Sequence, residues 1–185
     1  AVKGVAGSGL IGVAKDQLKK DGVAPALCTG FAVVELDQET GKYEILEYLG
    51  VADCGTVMHP DGLGAQMHGG AVMGFGMASS ERHVYDPKLG IPANRGLYQQ
   101  KPPTYLDVPS KLEWAAVNKP DPQSPFGSRG VGEPPLGAAA SAVASAISDA
   151  MGGHLFNRIP VTPDMIVNVL SGQSQSHKAL QVNTQ

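Results

Sequence analysis

The amino-acid sequence predicts an α+β fold in which glycine- and alanine-rich helices pack on a small mixed sheet. Residues 31–36 and 43–49 are rich in β-branched and aromatic side chains and flank a turn-rich stretch, a pattern that predicts a β-hairpin. Residues 63–80 and 136–147 have the length and composition of helices. Because the elements follow as hairpin, helix, strand and helix, they predict α+β layers rather than a doubly wound sheet.

The first part of the chain supplies a short helix and the hairpin. Residues 13–20 predict that helix, and Asp21-Gly22 ends it. After the hairpin, residues 51–55 lead into a loop that precedes the long helix. The many glycines of that helix indicate that its backbone packs tightly against something else.

The second part of the chain alternates short strands with connectors. Residues 83–85 predict a strand followed by a turn at 86–90, residues 102–109 an extended connector, and residues 112–117 another strand. These strands complete the predicted sheet.

Two more stop and start signals follow the alanine-rich helix. Residues 151–153, which end in two glycines, predict the end of that helix, and Pro163 opens a last short helix that runs to Leu170. We therefore predict one domain or domain fragment over residues 1–170 and a polar tail over residues 171–185.

Composition excludes several classes of function. The net charge of −3 gives no attraction for nucleic acid or an anionic membrane surface, and no basic run exceeds Lys19-Lys20. No apolar stretch approaches the ~20 residues that span a bilayer, and no signal pattern is visible, so we expect a soluble, cytoplasmic protein. Cys28 and Cys54 are isolated and indicate neither a zinc site nor a disulfide framework.

Two familiar motifs are present only in weak form. Residues 7–12 match the G-x-G-x-x-G pattern of dinucleotide-binding turns, but the strand that should precede it is missing, which favours an ordinary glycine-rich turn. The five histidines lack the spacing of a metal-binding helix, and His68 is interpreted as a packing or hydrogen-bonding residue. We expect no metal held by protein side chains.

Residues 127–135 contain a single carboxylate, Glu133, that is a candidate catalytic group. Three glycines lead to Glu133, and Pro134 and Pro135 follow, which can start a helix because the first helical turn leaves its amides unpaired. Glu133 should therefore lie at a helix N-terminus, where a carboxylate is also stabilising by roughly 0.3–1 kcal/mol without any catalytic role. Arg129, taken alone, is interpreted as a surface cation.

Gln66 is the second candidate, because its amide offers two donors and an acceptor in a segment with little side-chain bulk. A surface or helix-packing glutamine is the alternative. Gly69 and Gly70 lie beside it.

Taken together, these segments resemble, in order and spacing, the C-terminal molybdopterin-binding region of the xanthine dehydrogenase/aldehyde oxidase family, from about residue 30 to residue 170. The motifs that carry the resemblance are Asp53-Cys54-Gly55, His59-Pro60, Gln66, Gly69-Gly70, Gly74-Phe75-Gly76, Glu81, Tyr105, Asp107-Val108-Pro109, Gly127, Gly130-Val131-Gly132-Glu133-Pro134-Pro135 and Pro160-Val161-Thr162-Pro163.

The resemblance implies a molybdenum hydroxylase that inserts a water-derived oxygen into a C–H bond of its substrate. Molybdenum would be held by molybdopterin cytosine dinucleotide, or by the mononucleotide form, without a protein ligand. Glu133 falls on the family's general base, which takes a proton as the oxygen attacks an electron-poor carbon. Gln66 falls on a residue that contacts the cofactor, and Gly69, Gly70 and Gly132 fit the segments that approach it closely.

The resemblance also implies partners. Family members usually carry this region at the end of a much longer molybdenum subunit, so we expect a split subunit whose other chain completes the fold. The [2Fe–2S] clusters and FAD are expected on further chains, since this sequence has only two cysteines. The substrate stays open between N-heterocycles, purines, aldehydes and aromatic acyl-CoA compounds. Alternatives are a non-catalytic assembly subunit or a small nucleotide-binding protein that uses residues 7–12.

Overall fold

The computed structural model describes residues 25–177, so the helix expected at 13–20, the glycine pattern at 7–12 and the last part of the tail lie outside it. Over the described residues it contains three strands and four helices. They are β1 (Leu27–Leu36), β2 (Tyr43–Asp53), α1 (Pro60–Ser79), α2 (Leu97–Gln100), β3 (Lys111–Ala116), α3 (Pro134–Ala150) and α4 (Pro163–Leu170). None of the described helices is both long and apolar enough to cross a bilayer.

The three strands form one mixed sheet in the order β1-β2-β3. β1 and β2 pair antiparallel as the predicted hairpin, and β3 pairs parallel to β2. The hairpin turn is closed by Asp37, whose carboxylate accepts the amide of Glu39 at 2.8 Å and the hydroxyl of Thr40 at 2.8 Å. The predicted α+β class with a mixed sheet is confirmed.

The core lies between one face of the sheet and helices α1 and α3. Its buried members include Tyr48, Phe75, Val143, Ile147 and Ile166. The rings of Tyr48 and Phe75 meet edge to face with centroids 5.2 Å apart, a favourable arrangement for aromatic pairs. This contact ties the middle of β2 to the C-terminal part of α1.

Helices α1 and α3 pack against each other through glycines, as the glycine content of α1 predicts. A Cβ atom on Gly70 would lie 2.6 Å from the Cβ of Pro135, and one on Gly74 would lie 2.5 Å from the carbonyl oxygen of Leu136. Only glycine permits so close an approach. The successive contacts show that the two helices run in the same direction where they touch, and they fix the start of α3 against the middle of α1.

The C-terminal stop and start signals are confirmed. α3 ends before Gly152 and Gly153, which have φ values of 69° and 90°. α4 begins at Pro163, as predicted. The segment between them is held to α1 because the amide of Val161 donates to the carbonyl of Ala78 at 2.7 Å.

Two sequence expectations between α1 and β3 were wrong in detail, and a third feature, α2, was not expected. Residues 83–85 form no strand but a single bridge between Tyr85 and Pro92, because no neighbouring strand extends the pairing. The connector at 102–109 is interrupted by a 3₁₀ turn, Tyr105–Asp107, because the Asp107 carboxylate accepts the amide of Thr104 at 2.6 Å and its hydroxyl at 2.7 Å.

Candidate functional site

Glu133 lies at the N-terminus of α3, where the sequence places it. It is the N-cap residue, and Pro134 and Pro135 are the first residues of the helix. Its carbonyl oxygen accepts the amide of Leu136 at 2.9 Å. Its side chain makes no capping hydrogen bond and is exposed. The carboxylate is therefore not used to satisfy the helix end, and it is available to a ligand.

The segment before Glu133 is pressed against the end of β2. Gly55 and Gly127 both have positive φ, and a Cβ on Gly55 would collide with the carbonyl oxygen of Gly127. That oxygen accepts the amide of Thr56 at 2.7 Å, and Gly55 and Ser128 form an antiparallel bridge. The glycines thus allow the backbone after β2 and the backbone before Arg129 to contact each other. This contact fixes the position where the loop that leads to Glu133 begins.

Arg129 holds this loop to the end of β2. Its interpretation as a surface cation was therefore wrong. Its side chain is only 18% exposed and lies 2.8 Å from the Asp53 carboxylate and 3.3 Å from the Asp121 carboxylate. It also donates to the carbonyl of Pro25 at 2.7 Å. No motif around Arg129 indicates these partners, since Asp53 and Pro25 lie far from it in the sequence.

The loop residues between Arg129 and Glu133 face open space. Within residues 25–177, and leaving out the chain neighbours, no atom lies within 4 Å of where a Cβ would stand on Gly130 or on Gly132. Val131, between them, is half-buried. A ligand can therefore approach the backbone of this loop without a side chain in the way.

Gln66 lies across a cleft from this loop. The cleft has a volume of about 340 Å³ and is bordered by Gly62 and Gln66 on α1 and by Gly130 and Val131 on the loop. Gln66 is exposed, one helical turn before Gly70, which contacts Pro135. The structure thus brings Gln66 to the loop that carries Glu133, although Glu133 itself does not border this cleft.

The two neighbouring glycines of α1 differ in their surroundings. Gly70 is buried and its nearest neighbour is Pro135, so helix packing already explains it. Gly69 is exposed, with nothing within 4 Å of a Cβ position. Contact of either glycine with a cofactor stays a prediction, and Gly69 is the one with room for it.

A second, larger cleft lies further along the same exposed side of α1. It has a volume of about 700 Å³, and Met73 and Met77 of α1 and Leu136 of α3 contribute to its apolar wall. Arg82 and Arg158 also border it. These residues were not predicted as part of a site. Gly69, Met73 and Met77 are spaced at four-residue intervals, which places them on one face of the helix. Val131 borders the first cleft and Leu136 borders the second. In the sequence, Glu133 lies between these two residues.

Over the part of the chain that the structure describes, no group of three or more His, Cys, Asp or Glu side chains is arranged to hold a metal ion. His59 is engaged as the N-cap of α1, where its Nδ1 accepts the amide of Gly62 at 2.7 Å. Cys28 and Cys54 are free thiols, and burial, with a smaller contribution from Cys54, raises the pKa of the Cys28 thiol. Besides Gln66, the polar residues that border the first cleft are Thr56, His59, Ser128 and Arg129, and Glu133 follows this loop in the chain.

Comparison with known proteins adds a family to this geometry. Residues 12–109 match the family described as molybdopterin cofactor-binding domain. The putative xanthine dehydrogenase molybdenum-binding subunit of Escherichia coli K12 is 35% identical over 150 residues, which are 81% of this chain and 20% of that protein. The nicotine 6-hydroxylase large subunit of Paenarthrobacter nicotinovorans is 32% identical over 142 residues, 76% of this chain and 17% of that protein.

A solved structure agrees with the sequence matches. Quinoline 2-oxidoreductase from Pseudomonas putida 86 superposes with a TM-score of 0.69 at 27% identity, over 77% of this chain and 18% of that one. The chain thus spans about a fifth of the length of the relatives that it matches.

Proposed function

Because this chain belongs to the molybdopterin cofactor-binding domain family, within the xanthine dehydrogenase/aldehyde oxidase group, we propose that it is the base-bearing part of a molybdenum hydroxylase. The enzyme would insert a water-derived oxygen into a C–H bond of an N-heterocycle, an aldehyde or a related substrate. The reaction converts C–H and water to C–OH and releases two electrons and two protons. The observation that carries this proposal is the exposed carboxylate of Glu133, which the helix end does not use as a cap.

The residues around the first cleft fit a molybdopterin cofactor. The exposed amide of Gln66 can both donate to and accept from a pterin ring, and its NH₂ group can donate to a phosphate. Gly69 on α1 and Gly132 in the loop leave their backbone accessible to a large planar ligand. Gly70 allows α1 to pack closely against α3. When bound, the cofactor would supply the redox chemistry that removes two electrons from the substrate. We propose the cytosine dinucleotide form, which is one of the two forms that the family resemblance implies.

Glu133 would act as the general base. Its carboxylate would accept the proton that the attacking water-derived oxygen loses, which makes that oxygen a stronger nucleophile. Two features suit it to this work. The side chain has no hydrogen bond among the described residues, and its backbone is held on one side by Arg129 and on the other by Pro135. A base fixed by its backbone needs little reorganisation when the proton moves.

We propose that further protein surrounds this site. The chain spans about a fifth of its relatives' length, and four large apolar side chains near α2 and the 3₁₀ turn are strongly exposed. They are Leu97 at 78%, Tyr98 at 88%, and Tyr105 and Leu106 at 92% each. We propose that the rest of the molybdopterin-binding subunit covers them, since exposed apolar patches mark interaction surfaces. Iron–sulfur and FAD-containing chains would carry the electrons away.

The test is to purify this chain with its co-purifying proteins and to measure bound molybdenum, the nucleotide released by acid, and turnover. The substrate panel is xanthine, nicotine, quinoline and benzaldehyde, with a dye as the electron acceptor. We expect about one molybdenum per chain, a cytosine nucleotide, and oxidation of at least one panel compound. A complex that contains neither molybdenum nor pterin would overturn the proposal.

A further inference from the structure

We propose that Arg129 is a positioning residue for Glu133: it clamps the start of the base-bearing loop, so that its loss would weaken turnover while leaving cofactor binding in place. This inference rests on the proposed function, because it assumes that Glu133 is the base. Arg129 lies four residues away and also borders the first cleft, but its guanidinium group is engaged by Asp53, Asp121 and the carbonyl of Pro25, so a positioning role does not require it to contact the cofactor.

The clamp joins four parts of the chain. The guanidinium group reaches Asp53 at the end of β2, Asp121 in the loop after β3, and the carbonyl of Pro25 before β1. The backbone amide of Arg129 donates to the carbonyl of Cys54 at 2.7 Å. Both the side chain and the main chain of this residue are therefore attached to the sheet.

The loop beyond the clamp has little else to hold it. Gly130 and Gly132 have no neighbour within 4 Å of a Cβ position, and glycine has the greatest backbone freedom of any residue. The next contacts along the chain are the hydrogen bond from the Leu136 amide to the Glu133 carbonyl at 2.9 Å and the packing of Pro135 against Gly70. Glu133 thus lies between Arg129 on one side and the first turn of α3 on the other. A displacement of about 1 Å at a reacting group can cost about 10²-fold in rate.

The pattern of partners requires arginine. A planar guanidinium group with five N–H donors can contact three oxygens in different directions, whereas a lysine ammonium group is a point charge on a flexible stem. Asp121 is only 8% exposed at its side chain, and removing one partner of a buried ion pair is destabilising. Lysine should restore the charge balance and only part of the positioning.

The test uses the assembled molybdenum enzyme with the panel compound that it oxidises fastest. Arg129→Met and Arg129→Lys are compared with Lys111→Met, which breaks the exposed ion pair of Lys111 with Glu47 on the sheet. We expect Arg129→Met to lower kcat per bound molybdenum by about 10- to 100-fold, with KM and molybdenum content nearly unchanged. Arg129→Lys should fall between it and the wild type, and Lys111→Met should keep wild-type kcat.

A double-mutant cycle with Glu133→Gln separates positioning from general structural damage. If Arg129 acts through Glu133, adding Arg129→Met to Glu133→Gln lowers kcat no further. Additive losses, or wild-type kcat per molybdenum in Arg129→Met, would overturn the proposal. If Arg129→Met does not assemble, Arg129→Lys and Asp53→Asn are measured in the same cycle, and wild-type kcat in both overturns it.

The two proposals fail in different ways. Wild-type kcat in Glu133→Gln alone would show that Glu133 is not the general base and would therefore overturn the proposed function. Loss of turnover in Glu133→Gln together with wild-type kcat in Arg129→Met removes the positioning role alone.

Discussion

Gly70 of α1 and Pro135 of α3 approach so closely that a Cβ on Gly70 would lie 2.6 Å from the Cβ of Pro135. Pro135 follows Glu133 by two residues, so this contact sets where the first turn of α3 begins. The position of the proposed base therefore depends on the absence of a side chain on another helix. If Glu133 is the base, helix packing and catalysis are coupled at this point.

We predict that Gly70→Ala destabilises the assembled enzyme and also lowers its turnover. Alanine favours a helix by up to about 1 kcal/mol over glycine, but overpacking against the rigid proline ring costs about 1–3 kcal/mol. The thermal unfolding midpoint and kcat per molybdenum measure the two effects. Gly137→Ala is the matched control, because Gly137 of α3 has nothing within 4 Å of a Cβ position and should gain stability. An unfolding midpoint that rises equally in both variants would contradict the packing account.

We predict that Gln66→Leu weakens cofactor retention without affecting the fold. Gln66 is exposed on α1 and borders the first cleft, so its loss removes polar contacts to the cofactor and none to the core. The molybdenum content after gel filtration should fall several-fold at an unchanged unfolding midpoint. Gln38→Leu, in the exposed hairpin turn, should leave both values at the wild-type level. Full molybdenum content in Gln66→Leu would return Gln66 to its alternative interpretation as a surface residue.

We predict that Tyr48 contributes to alkaline unfolding. Burial, with a smaller contribution from Cys28, raises the pKa of Tyr48 to about 12. Because the folded state favours the neutral phenol, this stabilisation is complete below the unfolded pKa of about 10 and is lost as the pH rises towards 12. Burial also raises the pKa of Tyr43, which should add to the same decline.

Tyr48→Phe tests this contribution. The variant should keep more of its stability between pH 10 and pH 12 than the wild type. At neutral pH it should be at least as stable, because the Tyr48 hydroxyl is buried without a hydrogen-bond partner among the described residues. Unfolding midpoints against pH measure both effects, with Tyr98→Phe as the exposed control. Parallel curves for wild type and Tyr48→Phe would show that this phenol does not contribute.

The features predictable from sequence were those with local causes. The hairpin, the start of α4 at Pro163 and the place of Glu133 at a helix N-terminus all follow from turn residues, prolines and residue patterns within a few positions. The family resemblance and the α+β class are confirmed by the matches to molybdenum-enzyme subunits. The roles of Gln66, Gly69, Gly132 and Glu133 stay predictions.

The features missed by sequence had distant causes. No residue pattern around Arg129 indicates that Pro25, Asp53 and Asp121 meet at its side chain. The hydrogen bond to Pro25, for example, spans 104 positions of the chain. The glycines of α1 indicated a close approach, but not that Gly70 approaches Pro135. Long-range pairing of this kind depends on the whole fold rather than on neighbouring residues.

The most direct test of the central claim is kcat per bound molybdenum in Glu133→Gln, measured in the assembled enzyme with the panel compound that it oxidises fastest. Glutamine keeps the size of the side chain but cannot accept the proton. The proposal predicts full molybdenum and pterin content with turnover reduced by at least ~10²-fold. Wild-type kcat in a fully loaded Glu133→Gln enzyme would contradict it.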